Sequence, residues 1–329
     1  MRNKISAVCI FLMIVSQIRS QDTFSIVAVD STTKEVGSAG ASCVDLFNFV
    51  KEPDFIGELF PGKGAINTQA SYDEFNQGNA AQKMNEDSTP KQIIDWLVLN
   101  DVGGTPQVRQ YGIASLVKGN PKTEGFTGAN CMNWKGHRTG PNYCIQGNIL
   151  LGQQVIDSME ARFLREKGDL KAKLMAAMQG AKMIGADTRC APNNSSTLFA
   201  YLKVAKHTDI DGSLPSFIIK VKTKMNDKIE PIDSLQKLYD AKVKSTSLKS
   251  KNNEFLSYQL IDDKLIFTNN SNEFVDVKLY NLLGQIITTA RINAHDNKLI
   301  EANLNREETI ILSVSHNDLI DKSILINVK

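Results

Sequence analysis

The sequence predicts an α+β fold, a layered sandwich of strands and helices, followed by a smaller β-sandwich. Three observations carry that prediction. Runs with strand character fall into two groups, with helically spaced runs between and after them. An alternating run opens at Thr23, just behind an apolar leader. After about residue 243 helical spacing disappears, and only short strand-like runs punctuated by Asn, Asp and Gly remain.

The elements follow in chain order. TFSIVAV and VGSAGASC are apolar-alternating runs joined by DSTTKE, which predicts a β-hairpin; Asp30, beside that turn, is a commonplace turn residue. GAINTQASY reads as a third strand. FNQGNAAQKM and KQIIDWLVLN have helical spacing, with Pro90 suited to a first turn. RQYGIASLV returns to strand character, and the segment from Gly128 to Asn148, rich in Gly, Asn and aromatics, reads as a long ordered loop of the type that lines sites. Helices are predicted in QQVIDSMEARFLREK and LKAKLMAAMQGAKMIG, strands in SSTLFAYLKVA and PSFIIKVKT, and a closing helix in PIDSLQKLYDAKV. STSLKSKNN is polar and aperiodic, so residues 244–254 read as a linker between a domain over 21–243 and a β-sandwich over 255–329. That sandwich would be built from LSYQLID, KLIFTNN, FVDVKLYN, QIITTARI, TIILSVS and SILINV.

MRNK, the apolar run ISAVCIFLMIV and the small residues from Ser16 to Ser20 have the layout of a secretory signal peptide over 1–20. The expected cut follows Ser20 and leaves Gln21 first, although a neighbouring bond is also permitted. The apolar run is shorter than the roughly 20 residues that a membrane-spanning helix needs, so a retained anchor is the lesser reading. The mature protein is therefore expected to pass through the periplasm and to be secreted or held at the cell surface. Removal of the leader leaves Cys43, Cys131, Cys144 and Cys190, an even set that permits disulfides outside the cytoplasm. Cys131 and Cys144 flank one Gly-rich loop, so a local staple is expected there, with unpaired buried thiols as the alternative. A hydrophobic share of 42% excludes a disordered chain. A net charge of +2 without a basic and aromatic stripe argues against a nucleic-acid partner. No CxxC or His cluster suggests a metal, and no Walker loop or dinucleotide fingerprint occurs.

The ordered series TFSIVAVD, VGSAGASC, GAINTQASY, RQYGI, GPNYCIQGNILLG and GADTR resembles the family called domain of unknown function 1028, over essentially all of residues 23–243. The resemblance implies an N-terminal nucleophile (Ntn) hydrolase fold, a four-layer αββα sandwich, and no particular substrate. It implies an amidohydrolase in which Thr23 attacks an amide or peptide bond. A threonine hydroxyl is a poor nucleophile unless a base takes its proton. At a chain start its own α-amine can be that base, with a pKa of about 7.7–8.0 in model peptides. Such acyl transfer needs donors for the oxyanion and no cofactor. Short peptides and cell-wall fragments are the expected substrates, because some relatives carry cell-wall-binding modules. Gln21 and Asp22 stand between the expected cut and Thr23. A later cut, a trimming step or self-cleavage through an ester would have to remove them; otherwise Thr23 is simply a β-branched strand starter.

The remaining candidates surround Thr23. Ser42 and Cys43 end the second hairpin strand, and Cys43, without a paired His, is expected to be structural or disulfide-bonded. Gln69 lies on the third strand; Gln146 and Asn148 lie in IQGN. Their amides can both donate and accept, which suits an oxyanion or a substrate amide, and suits sheet or loop hydrogen bonding equally well. Asp187 and Arg189 in GADTR are read as an ion pair that orders the site or grips a substrate carboxylate, or else as a surface pair. His137 and Trp134 fall in the Gly-rich segment, where His137 reads as a solvated loop residue.

The tail offers a second resemblance. VDVKLYNLLGQII, TIILSVS and SILINVK resemble the C-terminal sorting domain of the type IX secretion system, with Tyr280 on an aromatic strand, Gly284 and Gln285 in a turn and Lys329 at the end. This implies that the secretion machinery is a partner. An accessory, carbohydrate-binding β-domain is the alternative. Two non-catalytic readings of the whole chain follow, a secreted or surface binding protein that keeps the Ntn fold and a surface structural protein; self-association stays open.

Overall fold

The computed structural model describes residues 23–48, 51–247, 256–261, 264–280, 285–300, 309–316 and 319–327. The leader, Gln21, Asp22, the linker from residue 248 onward, Gly284 and Lys329 lie outside the described residues. The chain divides into two compact units that meet between Tyr239 and Asp240.

The first unit opens with the expected hairpin, β1 (Thr23–Val29) and β2 (Val36–Ser42), whose turn is tied by the Asp30 carboxylate accepting from the N–H groups of Thr32 and Thr33. β3 (Gly57–Phe60), β4 (Gly64–Ala70), β5 (Arg109–Val117) and β6 (Asn120–Thr127) form one antiparallel sheet in that order. β7 (Gly136–Thr139), β8 (Tyr143–Gly147), β9 (Phe199–Ala205) and β10 (Phe217–Lys222) complete the sheet of β1 and β2, in the order β10-β9-β2-β1-β8-β7. The helices α1 (Glu74–Asn85) and α2 (Pro90–Leu99) cover the outer face of the smaller sheet, and α3 (Gln153–Arg165) and α4 (Leu170–Gly180) cover that of the larger. The two sheets face each other, which gives the αββα layer order. α2 starts on Thr89 with a capping box and Pro90 in its first turn, as its sequence predicts.

The long loop expected over 128–148 is corrected: most of its second half is the β7–β8 hairpin. β3 and β6 were likewise not anticipated. All three of β3, β6 and β7 are edge strands, which need not bury both faces, so their sequences lack the apolar alternation that marks a strand.

α5 (Pro231–Ser247) runs past the unit boundary into the stretch read as a linker. The second unit is all β. β11 (Leu256–Ile261), β12 (Lys264–Asn269) and β15 (Asn297–Ile300) form one antiparallel sheet, while β13 (Val275–Tyr280), β14 (Ile286–Ile292), β16 (Thr309–His316) and β17 (Leu319–Asn327) form another in the order β14-β13-β16-β17. Val275, Val277 and Leu279 alternate into its core.

β1 is buried along its whole length. Its two faces differ. Phe24, Ile26 and Ala28 point toward the α3–α4 layer, which approaches closely because Gly37, the partner of Ala28, has no side chain: a Cβ there would lie 2.5 Å from Leu174. Val27 and Val29 point the other way and meet Val36, Ala65, Ala114 and Cys144 between the sheets. By strand alternation Thr23 and Ser25 share that inner face. The space between the sheets is therefore apolar at one end and polar at the other.

The disulfide expectation is corrected as well. Cys43 pairs with Cys190, a link spanning 147 residues, whereas Cys131 and Cys144 are buried free thiols. Cys144 faces between the sheets on β8 and Cys131 lies in the loop before β7, so their nearness in sequence does not place them together. Burial pushes both thiols up, away from the reactive thiolate. A disulfide of this kind fits an oxidising compartment. Among the described residues no helix is long and apolar enough to cross a membrane, which says nothing of β-barrels.

A buried ion pair braces the polar end. Arg109 donates through Nε to Asp101 at 2.8 Å and through Nη1 to the Ser71 carbonyl, tying together the ends of β4 and β5. Burial alone would raise the Asp101 carboxyl. The hydrogen bonds and charge of Arg109, with donors from Thr105 and Asn76, outweigh burial and hold it below its ordinary value of 3.8. Its contribution to stability is thus complete above that value and is lost as pH falls through the lower folded one. Asp101→Ala, which leaves Arg109 only the Ser71 carbonyl and the more distant Asp73 carboxylate at 3.8 Å, is expected to cost about 3 kcal/mol in urea unfolding near neutral pH. The deficit relative to wild type should vanish at strongly acidic pH. Cys43→Ser with Cys190→Ser is expected to cost about 2–5 kcal/mol in the same assay.

Candidate active site

Thr23 is the first residue of the central strand, 1% exposed, and stands opposite Ser42 in register. Its carbonyl accepts two hydrogen bonds, from Gln69 Nε2 in the facing sheet at 3.1 Å and from the Asn148 backbone N–H at 3.1 Å. One row along, Ser25 stands opposite Gln146 on β8, and its hydroxyl donates to Gln69 Oε1 at 2.5 Å and accepts from Gln146 Nε2 at 2.6 Å. Gln110, opposite Gln69 on β5, accepts from Gln69 Nε2 at 2.7 Å and from Asn148 Nδ2 at 3.0 Å. Ser25, Gln69, Gln110, Gln146 and Asn148 are all buried. Four side-chain amides and a hydroxyl thus fill the polar end of the space between the sheets.

The other side of Thr23 is built by a loop held covalently. Asp187 is fully buried and caps the short 3-10 turn Thr188–Asn193, accepting from the Arg189 N–H. Its carboxylate also accepts from the Cys43 N–H at 2.8 Å and from Arg189 Nη2 at 2.8 Å and Nε at 3.1 Å. Arg189 keeps its side chain 33% exposed and brings Nη2 to 3.4 Å from Ser42 Oγ. Because Cys43 follows Ser42 and Cys190 follows Arg189, the disulfide fixes this approach.

Two departures from relaxed structure flank the amides. Ala70, after Gln69, and Ile149, after Asn148, have φ of 68° and 52°, a left-handed backbone that costs a non-glycine residue and is rare for β-branched ones. Ile149 is held there from both sides: its N–H donates to the Met132 carbonyl, and its own carbonyl accepts from the Thr188 N–H. Gln146 Oε1 and Asn148 Oδ1 are buried without a hydrogen-bond partner. Gln146 Oε1 packs onto Gly112, where a Cβ would lie only 2.0 Å from it.

The structure therefore gathers Thr23, Ser42, Gln69, Gln146, Asn148, Asp187 and Arg189 around the head of β1. Cys43 is spent in its disulfide. His137, on edge strand β7, joins the network at its margin: its Nδ1 meets Thr127 Oγ1 at 2.8 Å, and that hydroxyl accepts from Gln110 Nε2 at 2.9 Å. The Trp134 ring covers Gly136. Ser25 and Gln110 belong to the network and were missed. Ser25 was signalled by its period-two spacing from Thr23, and Gln110 by a polar residue two before Gly112 on an otherwise apolar strand. Among the described residues no group of acidic, His and Cys side chains is arranged to hold a metal ion.

An αββα sandwich with an amide-filled seam at the head of its central strand defines the class. Within it, the chain belongs to the family described as "Family of unknown function (DUF1028)", which matches residues 23–230. No curated protein matches the chain. A crystal structure of a Silicibacter pomeroyi protein of the same family is similar, with a TM-score of 0.52 and 21% identity, over 67% of this chain and 88% of that one. At that identity the likeness carries the fold alone.

Gly112→Ala is expected to displace the Gln146 amide from Ser25 and to lower stability by about 1–3 kcal/mol. Thermal unfolding with a crystal structure of the variant checks both.

Proposed function

We propose that the protein is an exported amidohydrolase of the Ntn type, whose nucleophile is the hydroxyl of Thr23 once that residue heads the mature chain. One observation carries the reading: Thr23 begins the central strand, on the inner face, with its carbonyl held by Gln69 and Asn148 and with Ser42 and Arg189 beside it. The reading requires proteolysis of the Asp22–Thr23 bond. The freed amine then takes the hydroxyl proton as Oγ1 attacks an amide carbonyl. Gln69 has both its N–H hydrogens engaged, so it positions Thr23 and does not bind the substrate. Asn148, with one N–H on Gln110, is assigned to the oxyanion through its second N–H and to a substrate amide N–H through its unpartnered Oδ1. Gln146 supports Ser25. Asp187 orients Arg189, whose partly exposed guanidinium suits a carboxylate on the substrate. A short peptide or cell-wall fragment has both the amide and the carboxylate.

The near-complete burial of Thr23 favours a second reading, a secreted or surface binding protein that keeps this fold without the chemistry. For the second unit we propose an export address read by the type IX machinery, supported by the order of its strands and by Tyr280 and Gln285 at the end of β13 and start of β14.

N-terminal sequencing of protein recovered from the producing cell separates the readings. The hydrolase reading expects Thr23 first, and a start at Gln21 sinks it. Thr23→Ala should abolish amide turnover by about a thousandfold or more, whereas Thr23→Ser should retain part of it. Wild-type turnover should rise as pH increases through about 7–8, where the amine loses its proton.

A further inference from the structure

The directions of the amides in the seam can be deduced, because backbone carbonyls at both ends only accept. The Thr23 carbonyl requires the nitrogen of Gln69 to face it, so Gln69 Oε1 is left to accept from Ser25. Ser25, having donated its proton, must accept from Gln146 Nε2. At the other end, Gln110 Nε2 faces the carbonyls of Gly147 at 2.9 Å and Gly136 at 3.1 Å, and Thr127 Oγ1 at 2.9 Å. Gln110 Oε1 is thereby turned inward, where it accepts from both Gln69 and Asn148. One buried side chain consequently decides which way Asn148 points and completes the hydrogen bonding of Gln69.

We infer that Gln110 is the positioning residue of the site: its inward Oε1 sets the orientation of the Asn148 amide, so that Asn148 Oδ1 is presented, and takes the second N–H of the Gln69 that grips Thr23. The inference rests on the hydrolase reading for its catalytic meaning, but its geometry does not. Asn148 has no other described side-chain partner that would fix its orientation, whereas Gln69 is also set by the Thr23 carbonyl and by Ser25. A methionine at 110 fills the space, leaves the Asn148 amide able to turn over and deprives one Gln69 N–H of its acceptor. The titratable groups about position 110 are His137, reached through Thr127 and held below its ordinary value by burial, and the Arg109–Asp101 pair, which keeps its charges through this range. Against that background a glutamate acts as a switch. Protonated, it donates through O–H toward Gly147 and accepts inward, as glutamine does; ionised, it sets a negative charge against two carbonyls.

The test acylates Thr23 in full-length mature protein with a β-lactone. The threonine oxygen forms an ester with the lactone carbonyl, the ring C–O bond breaks, and the hydroxyl proton passes through the amine to the released alkoxide. Intact mass then follows the rate from about pH 5 to 9. Wild type is expected to react faster as pH rises. Gln110→Met should react about a hundredfold more slowly at every pH. Gln110→Glu should match wild type at low pH and fall progressively below it as pH rises, so that the wild-type rise is flattened, with folding verified by circular dichroism at each point. Folded Gln110→Glu that keeps the wild-type rate and slope overturns the inference. Should wild type itself fail to react, the hydrolase reading falls. The positioning role is then judged by NMR: relative to wild type at the same pH, hydrogen exchange of the Asn148 side-chain amide should quicken at least tenfold in Gln110→Glu at high pH but not at low pH. Unchanged exchange overturns it.

Discussion

Every polar group on the central strand must find its partner inside the protein, and the rest of this structure is arranged around that constraint. β1 is hydrogen-bonded along both edges, covered by helices on one face and by a second sheet on the other. Thr23 and Ser25 lie buried on the inner face, where an unpaired hydroxyl or amide is costly. Glutamines from the facing sheet, together with Gln146 and Asn148 from the next strand, answer that demand. The apolar end of the same interface, around Val27 and Ala114, aligns the two sheets so that those amides meet.

The polar seam is dearer than stability alone requires. An interface of this size filled with Val and Ala throughout, as its other end is, would leave no acceptor unpaired. Instead the fold keeps Gln146 Oε1 and Asn148 Oδ1 unpartnered, and it forces Ala70 and Ile149 into left-handed backbone beside Gln69 and Asn148. Departures of this kind persist where surrounding contacts over-determine them, and they gather at sites. Here the over-determination is visible. The Met132–Trp134 loop and Thr188 clamp Ile149 and Leu150, while the Cys43–Cys190 link and Asp187 clamp the end of β2. Both clamps close on the residues nearest Thr23.

Legibility followed the length and density of apolar runs. β1, β2, β4, β5, β9 and edge strand β10 carry such runs and are legible in the sequence; α2 announces itself through Thr89, Pro90 and Gln92. Edge strands β3, β6 and β7 leave little mark on composition, and β8, buried but only five residues long among Gly, Asn and Pro, reads locally as loop. In the site, Gln69, Gln146 and Asn148 stood out as amides next to strand ends. Gln110 did not, because its importance arises from facing Gln69 across the β4–β5 pair. The cysteine pairing misled for the same reason: Cys43 and Cys190 are distant in the chain, and only the apposition of β2 with the turn after Asp187 brings them together.

Composition and local periodicity by themselves determined the fold class, the change of texture near residue 243, and the placing of a threonine at the head of a buried strand, because hydrophobic pattern and turn chemistry act over a few residues. The tertiary structure alone decided which cysteines join, which way each amide points and that Gln110 governs Asn148. Those outcomes depend on register between strands apart in the chain, and no local pattern encodes contacts whose partners are separated by 38 residues, as Gln110 and Asn148 are, or by 147, as Cys43 and Cys190 are.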